Sequence, residues 1–186
     1  MIVKAIQFAA AAHDGQLRKG STTPYIFHPL SVARILAETG CRTEIVVAGI
    51  LHDTVEDTPV TLTEIQENFG DEVAALVKSA SESDKSLSWE ERKRETLEHL
   101  ATASQDELLL AIADKLDNIR SIRADLSRNG SALWTIFNRP QAQQRWYYLS
   151  LEAVFRQRMQ SVAGIDLARQ FSREVTAVFG SARAEG

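Results

Sequence analysis

The chain has 186 residues, 44% of them hydrophobic, with a formal charge of −4 at pH 7 and Cys41 as its sole cysteine. That length suits one compact domain, the acidic balance speaks against a general nucleic-acid binder, and a single thiol excludes an internal disulfide. The first residues lack the basic and long apolar regions of a signal peptide, and no segment approaches the roughly 20 apolar residues that span a bilayer, so the expectation is a soluble cytoplasmic protein with no membrane partner.

Nearly every segment carries helical periodicity. Ile2, Ala5, Ile6, Ala9 and Ala10 share one face of a helix that runs out near His13, Asp14 and Gly15. The polar stretch from Gln16 to Pro24 holds the Gly and Pro of a loop. Pro29 fits the first turn of a second helix carrying Leu30, Val32, Ala33, Ile35 and Leu36, which Gly40 closes. A third helix is predicted from about Thr43 to His52. Thr61 to Glu64 reads as a capping box opening a helix that ends at Gly70, with Asp71 starting the next. Two more such boxes, Ser88 to Glu91 and Ser104 to Glu107, open two further helices. The second of these is long, through Leu108, Ile112, Leu116, Ile119 and Ile122, and Asn129-Gly130 breaks it. Arg139-Pro140 starts another helix through Trp146, Tyr147, Leu151 and Val154. Gly164 is expected to separate that helix from a last amphipathic one ending near Phe179. The prediction is an all-α single domain over residues 1–180, with residues 181–186 a frayed tail.

One apolar run ends abnormally. Ile45 to Leu51 is followed by His52 and Asp53, and burying an imidazole and a carboxylate without partners costs several kcal/mol. A divalent metal accounts for both, since it needs neutral imidazole and ionised carboxylate as ligands. His28, just after an apolar Tyr-Ile-Phe, and Asp114, interrupting the apolar stretch from Leu108 to Ala113, are the further candidates. Two nitrogens and two carboxylates suit Mn, Fe or Zn better than Mg or Ca. A lone buried histidine is more often a hydrogen-bonded core residue than a ligand; the argument for a metal is the set of four. His13 and His99 lack such contexts and read as ordinary, partly exposed residues.

Three ordered motifs make a family recognisable. The segments Arg18 to Pro29, His52 to Thr58 and Ala113 to Asn118 resemble successive motifs of the HD-type alarmone hydrolases. These are the hydrolase half of the RelA/SpoT enzymes and their stand-alone relatives, and the segment Ser83 to Arg94 is similar to the stand-alone forms. The resemblance implies an all-helical, metal-dependent phosphohydrolase, commonly with manganese. It would remove the 3′-pyrophosphate from ppGpp and pppGpp to give GDP or GTP and pyrophosphate. Hydrolysis alone is implied, because the family's synthetase portion needs a long C-terminal extension. Position by position, the resemblance makes His28, His52, Asp53 and Asp114 the ligands. It makes Glu56 and Asp57 the pair that positions and activates water, Asn118 an active-site residue, and Arg18 and Lys19 nucleotide contacts.

The residues fit that chemistry. A metal lowers the pKa of bound water and polarises a phosphoryl oxygen, and a nearby carboxylate can take the proton. Glu56 and Asp57 follow His52 and Asp53 by four, so a continuing helix would put them on the ligand side; an unwound turn would instead fold them over the metal as a loop. Asn118, four after Asp114, shares its face and adds no negative charge. Asp117 points off that line, towards Arg120 or Arg123. Lys115 and Arg120 could meet solvent or a phosphate. A polyphosphate also needs cations, offered by Arg18, Lys19 and the run Arg92-Lys93-Arg94, of which Lys93 is the first choice. Tyr147, ahead of Trp146 and Tyr148, is the candidate stacking wall. Phe27, where the family often has a polar residue, and the divergent stretch from Asn129 to Pro140 leave base preference open. The alternatives are another nucleotide (a ppApp type, the NADPH 2′-phosphate or a nucleoside monophosphate) or a module that senses a nucleotide without turnover.

Overall fold

A computed structural model describes residues 1–81, 86–135, 137 and 139–180. The proposed frayed tail, part of the segment from Ser83 to Arg94 and two positions of the stretch from Asn129 to Pro140 lie outside the described residues. The helices are α1 Ile2–Ala12, α2 Phe27–Glu38, α3 Thr43–Leu51, α4 Thr54–Asp57, α5 Leu62–Phe69, α6 Asp71–Ala80, α7 Trp89–Thr102, α8 Gln105–Asn129, α9 Gln141–Arg158 and α10 Val162–Phe179. Among the described residues the only β pairing is an isolated bridge between Leu17 and Pro24, which pins the loop between α1 and α2. The all-α reading holds. Among the described residues, no helix is long and apolar enough to cross a membrane.

The architecture follows from two helices that cannot face water. Every residue of α3 from Ile45 to Leu51 is buried, and a helix apolar all round must be enclosed by others. Helices α1, α2, α6 and α8 enclose it. The 25-residue α8 is the second axis, touching α2, α3 and α6 on one side and α9 and α10 on the other. Gly49 permits the tightest approach: a methyl there would stand 2.6 Å from Leu36 Cδ1 and 3.4 Å from Val32 Cγ1. Arg42 ties three elements at the rim, its guanidinium reaching Glu44, Glu72 and Asp106.

Local signals set most boundaries. All three capping boxes form, at Thr61, Ser88 and Ser104, each with the reciprocal glutamate bond. Gly130 closes α8 with φ +56, a conformation that L side chains rarely adopt. A 3-10 turn, Gly130–Thr135, then follows that no sequence signal announced. Gly164 corrects the reading of the last break. The chain turns at Met159–Ser161, and Gly164 lies inside the first turn of α10, where its N–H donates to Ser161 Oγ at 3.0 Å. A glycine is used there because a side chain would press on Met159 Sδ at 2.8 Å.

The Ser104 cap is a test of these local terms. Partial burial would raise the Glu107 carboxyl, but the Ser104 hydroxyl and amide outweigh it and hold the group below its ordinary value. Its contribution is therefore complete at neutral pH and lost as pH falls through that lowered value. Ser104→Ala should cost about 1 kcal/mol at pH 7, seen as a melting point lower by roughly 2–4 °C. The gap between variant and wild type should narrow in melts at acidic pH; a gap that widens there would contradict the assignment.

Candidate metal centre and active site

The centre begins with a helix that stops where its side chains take over its carbonyls. His52 Nδ1 donates to Gly49 O at 2.9 Å, and Thr54 Oγ1 donates to Leu51 O at 2.7 Å. Those acceptors would otherwise serve the amides of the next turn, and such local bonds compete with helix continuation. The run therefore breaks at His52 and Asp53 and restarts as the single turn α4, whose Asp57 N–H donates to Asp53 O at 2.9 Å. Of the two geometries open for Glu56 and Asp57, neither an unbroken helix nor a loop is found. A separate short turn carries both, Glu56 half-buried and Asp57 exposed.

His28 from α2, His52 from the α3–α4 junction and Asp114 from α8 meet at one point, with Asp53 beside the two imidazoles. Ligand atoms of His28, His52 and Asp114 all lie within 4.8 Å of one another. Asp53 Oδ2 is 3.0 Å from His52 Nε2 and 3.5 Å from His28 Nε2, and Asp114 Oδ1 is 3.2 Å from His28 Nε2. The His28 and His52 side chains are both only 2% exposed. His52 Nε2 is buried with no hydrogen-bond partner, which for a native structure asks for an explanation such as an ion. Its Nδ1 is committed to Gly49, so Nε2 is the nitrogen that faces the two carboxylates. Two imidazole nitrogens and two carboxylates fit a first-row divalent cation.

Each of these side chains also has a further partner. His28 Nδ1 is 2.6 Å from Asp117 Oδ2. The Tyr25 hydroxyl donates to Asp53 Oδ2 at 2.6 Å. Asp114 accepts from Asn118 Nδ2 at 2.5 Å on one oxygen and lies 2.7 Å from Lys115 Nζ on the other. Electrostatics follow from these pairs. Complete burial pushes the His52 imidazole down, but the Asp53 carboxylate and its neighbours outweigh burial and hold it up to about 9. His28 is likewise raised against burial, by Asp114 and Asp117. Burial pushes the Tyr25 hydroxyl up, as does the Asp53 carboxylate, which keeps Tyr25 a donor.

The remaining predicted residues are placed as follows. Arg18 Nη2 reaches back to α8, donating to Ser121 Oγ at 3.1 Å and Asn118 Oδ1 at 3.3 Å, with Asp117 Oδ2 at 3.7 Å. Lys19 is exposed on the same loop. A cavity of about 500 Å³ opens between α6, α7 and α8, with His52, Asp114 and Lys115 at one end. Arg92, rather than Lys93, is on its wall, with Lys78 and His99. Lys93 Nζ instead stands 5.1 Å from the Tyr147 ring centroid. Tyr147 is buried against Trp89, Trp146 and Tyr148, in the aromatic seam between α7 and α9.

Two readings need correction, those of Asp117 and His13. Asp117 pairs with His28 and Arg18, not with Arg120 or Arg123; those two reach Glu174 on α10, because that side of α8 packs on α10. His13 is buried, not partly exposed: its Nδ1 shares a 2.8 Å hydrogen bond with Gln16 Oε1, and its ring lies 4.9 Å from that of Tyr25. His99, though partly exposed, borders the cavity and stands 3.6 Å from Glu107. Lys115 meets its neighbour's carboxylate at the cavity rather than open solvent. Tyr25 and Gln16 went unnoticed altogether. Gln16 Nε2 donates to Asp57 O at 2.9 Å, strapping the loop to α4.

Two outcomes follow for metal binding. Neutral imidazole is the ligand, so protons held on His52 up to about 9 compete with the ion. Affinity for Mn2+ should rise about tenfold from pH 7 to 8 and level off as pH passes about 9; calorimetric titration showing no change across that window would remove the competition. Asp53→Ala should abolish stoichiometric binding while circular dichroism still reports a helical protein.

Comparisons with known proteins identify the family. Residues 5–141 match the HD domain family model. The guanosine-3′,5′-bis(diphosphate) 3′-pyrophosphohydrolase MESH1 of Xenopus tropicalis is 46% identical over 126 residues, spanning 66% of this chain and 70% of its own. The human protein of that name is 45% identical over 124 residues, 65% of this chain and 69% of its own. A Listeria monocytogenes protein of known structure superposes with a TM-score of 0.77 at 43% identity, covering 83% of this chain and 99% of its own. A metazoan orthologue of SpoT, described as hydrolysing ppGpp, superposes with a TM-score of 0.74 at 32% identity, covering 93% and 94%. The chain belongs to the HD-domain family.

Proposed function

We propose that this chain is a metal-dependent hydrolase that removes the 3′-pyrophosphate of ppGpp and pppGpp, giving GDP or GTP and pyrophosphate. The observation that carries the reading is the convergence of two buried imidazoles and two carboxylates beside a cavity of about 500 Å³ that also presents Lys78, Arg92 and Lys115. Relatives named as 3′-pyrophosphohydrolases of this nucleotide support the substrate. Manganese is the ion we assign to His28, His52, Asp53 and Asp114.

When bound, such an ion lowers the pKa of its water and polarises a phosphoryl oxygen. The protein's own groups do the rest. Glu56, half-buried on the turn beyond His52, is the base that accepts the proton of the attacking water, and Asp57 orients that water. Gln16 holds the carbonyl of Asp57 and so fixes the pitch of this turn. Asn118 keeps Asp114 oriented and offers an amide where a third carboxylate would repel phosphate. We assign nucleotide contact to Arg92 on the cavity wall and to Arg18 and Lys19 on the loop before α2; Lys93 and Tyr147 lie off that wall, in the seam of α7 and α9. The Lys115 ammonium neutralises one of the two carboxylates beside the incoming polyphosphate.

Purified protein supplied with Mn2+ should release pyrophosphate from ppGpp and pppGpp. A panel adding ppApp, NADPH and nucleoside monophosphates separates the readings by product. Orthophosphate in place of pyrophosphate would make the chain a nucleotide phosphatase, and tight binding without turnover would make it a sensor. Glu56→Gln should retain Mn2+ affinity and lower kcat by roughly two to four orders of magnitude.

A further inference from the structure

We propose that Asp117 is a positioning residue for the metal centre: it fixes the His28 ring and strengthens its Nε2 as a ligand. The inference rests on the metal-centre reading above and adds a residue that neither the motifs nor the comparisons assign. Asp117 Oδ2 lies 2.6 Å from His28 Nδ1, on the far side of the ring from Asp53 and Asp114. The imidazole is buried, so water cannot replace this partner. A carboxylate on one ring nitrogen places the proton there and leaves the lone pair on the other, which sets both tautomer and orientation and raises ligand basicity.

The placement on α8 makes the arrangement economical. Asp114 and Asp117 are three residues apart, one turn of a single helix, so they lie on neighbouring lines of one face. The two carboxylates thus take opposite nitrogens of one ring: Asp114 Oδ1 is 3.2 Å from Nε2 and Asp117 Oδ2 is 2.6 Å from Nδ1. Nothing in the pair's chemistry alone would stop Asp117 from swinging away, and Arg18 supplies that restraint. Its Nη2 stands 3.7 Å from the same Oδ2 while bonded to Asn118 and Ser121. The guanidinium also offsets the extra negative charge that a third, partly exposed carboxylate adds to the centre. His52 is held differently, by the neutral Gly49 carbonyl, so the two imidazoles are unequal donors.

The experiment is a Mn2+ titration of metal-stripped full-length protein, comparing wild type with Asp117→Ala and Asp117→Asn, each checked for helicity by circular dichroism. Loss of an outer partner of a ligating histidine typically weakens metal affinity 10–100-fold. Asp117→Ala should fall in that range, and Asp117→Asn, which still offers a carbonyl oxygen to Nδ1–H, should recover part of the loss. The Co2+-loaded proteins should show a shifted visible absorption band in Asp117→Ala and a smaller shift in Asp117→Asn. Affinity within twofold of wild type in a folded Asp117→Ala overturns the inference and leaves the hydrolase reading intact. If Asp117→Ala does not fold, Asp117→Asn decides alone: unchanged affinity and an unshifted Co2+ band overturn the inference. Wild-type protein that takes up no divalent ion overturns the metal-centre reading itself, and the inference with it.

Discussion

Two carboxylates and two imidazoles share a pocket at the end of the buried apolar run of α3, and the remainder of the molecule is arranged around the cost of putting them there. Buried ionisable groups are tolerated when every charge has a partner and every polar atom a bond. Here the compensation comes from three different segments. The loop before α2 supplies Tyr25 to Asp53, α3 supplies its own Gly49 carbonyl to His52, and α8 supplies Asn118 and Lys115 to Asp114 and Asp117 to His28. Helix α8 is central for that reason: within five consecutive residues it carries one ligand and the holders of two.

Much of this was legible from residues alone because the signals are local. Capping boxes at Thr61, Ser88 and Ser104 and the Gly130 stop need only neighbouring residues to work, and each appears where its pattern stands. The four candidate ligands were legible for a related reason, since a charged residue in an apolar run demands a partner wherever the fold places it. What escaped depends on which helix faces which. Asp117 could be set on α8 by periodicity, but its choice of His28 over Arg120 is decided by α10 occupying the other side. His13 ends a helix beside Gly15, a pattern that usually means exposure, and only the return of the loop over it explains its burial. Gly164 was misjudged because glycine serves equally as a breaker and as room for a neighbour, and Met159 takes that room.

The cavity beside the centre pairs opposite charges. Its walls carry Lys78, Arg92 and Lys115 together with Glu95, Glu107 and Asp114. A polyanion is attracted by the first three and repelled by the others, so recognition there is a matter of where along the wall each group sits. Arg18 lies outside that lining, engaged with α8 from the opposite loop. The same guanidinium therefore joins the segment that borders the substrate side to the helix that holds the ligands, and motion of that loop would be felt by the His28 and Asp114 supports together.

Gly49 has two offices in this design. Its carbonyl orients His52, and its missing side chain lets α2 lie close enough for Leu36 and Val32 to occupy the space. The separation of the two imidazoles is thus governed by how near two apolar helix surfaces can come, one bearing His28 and the other ending in His52.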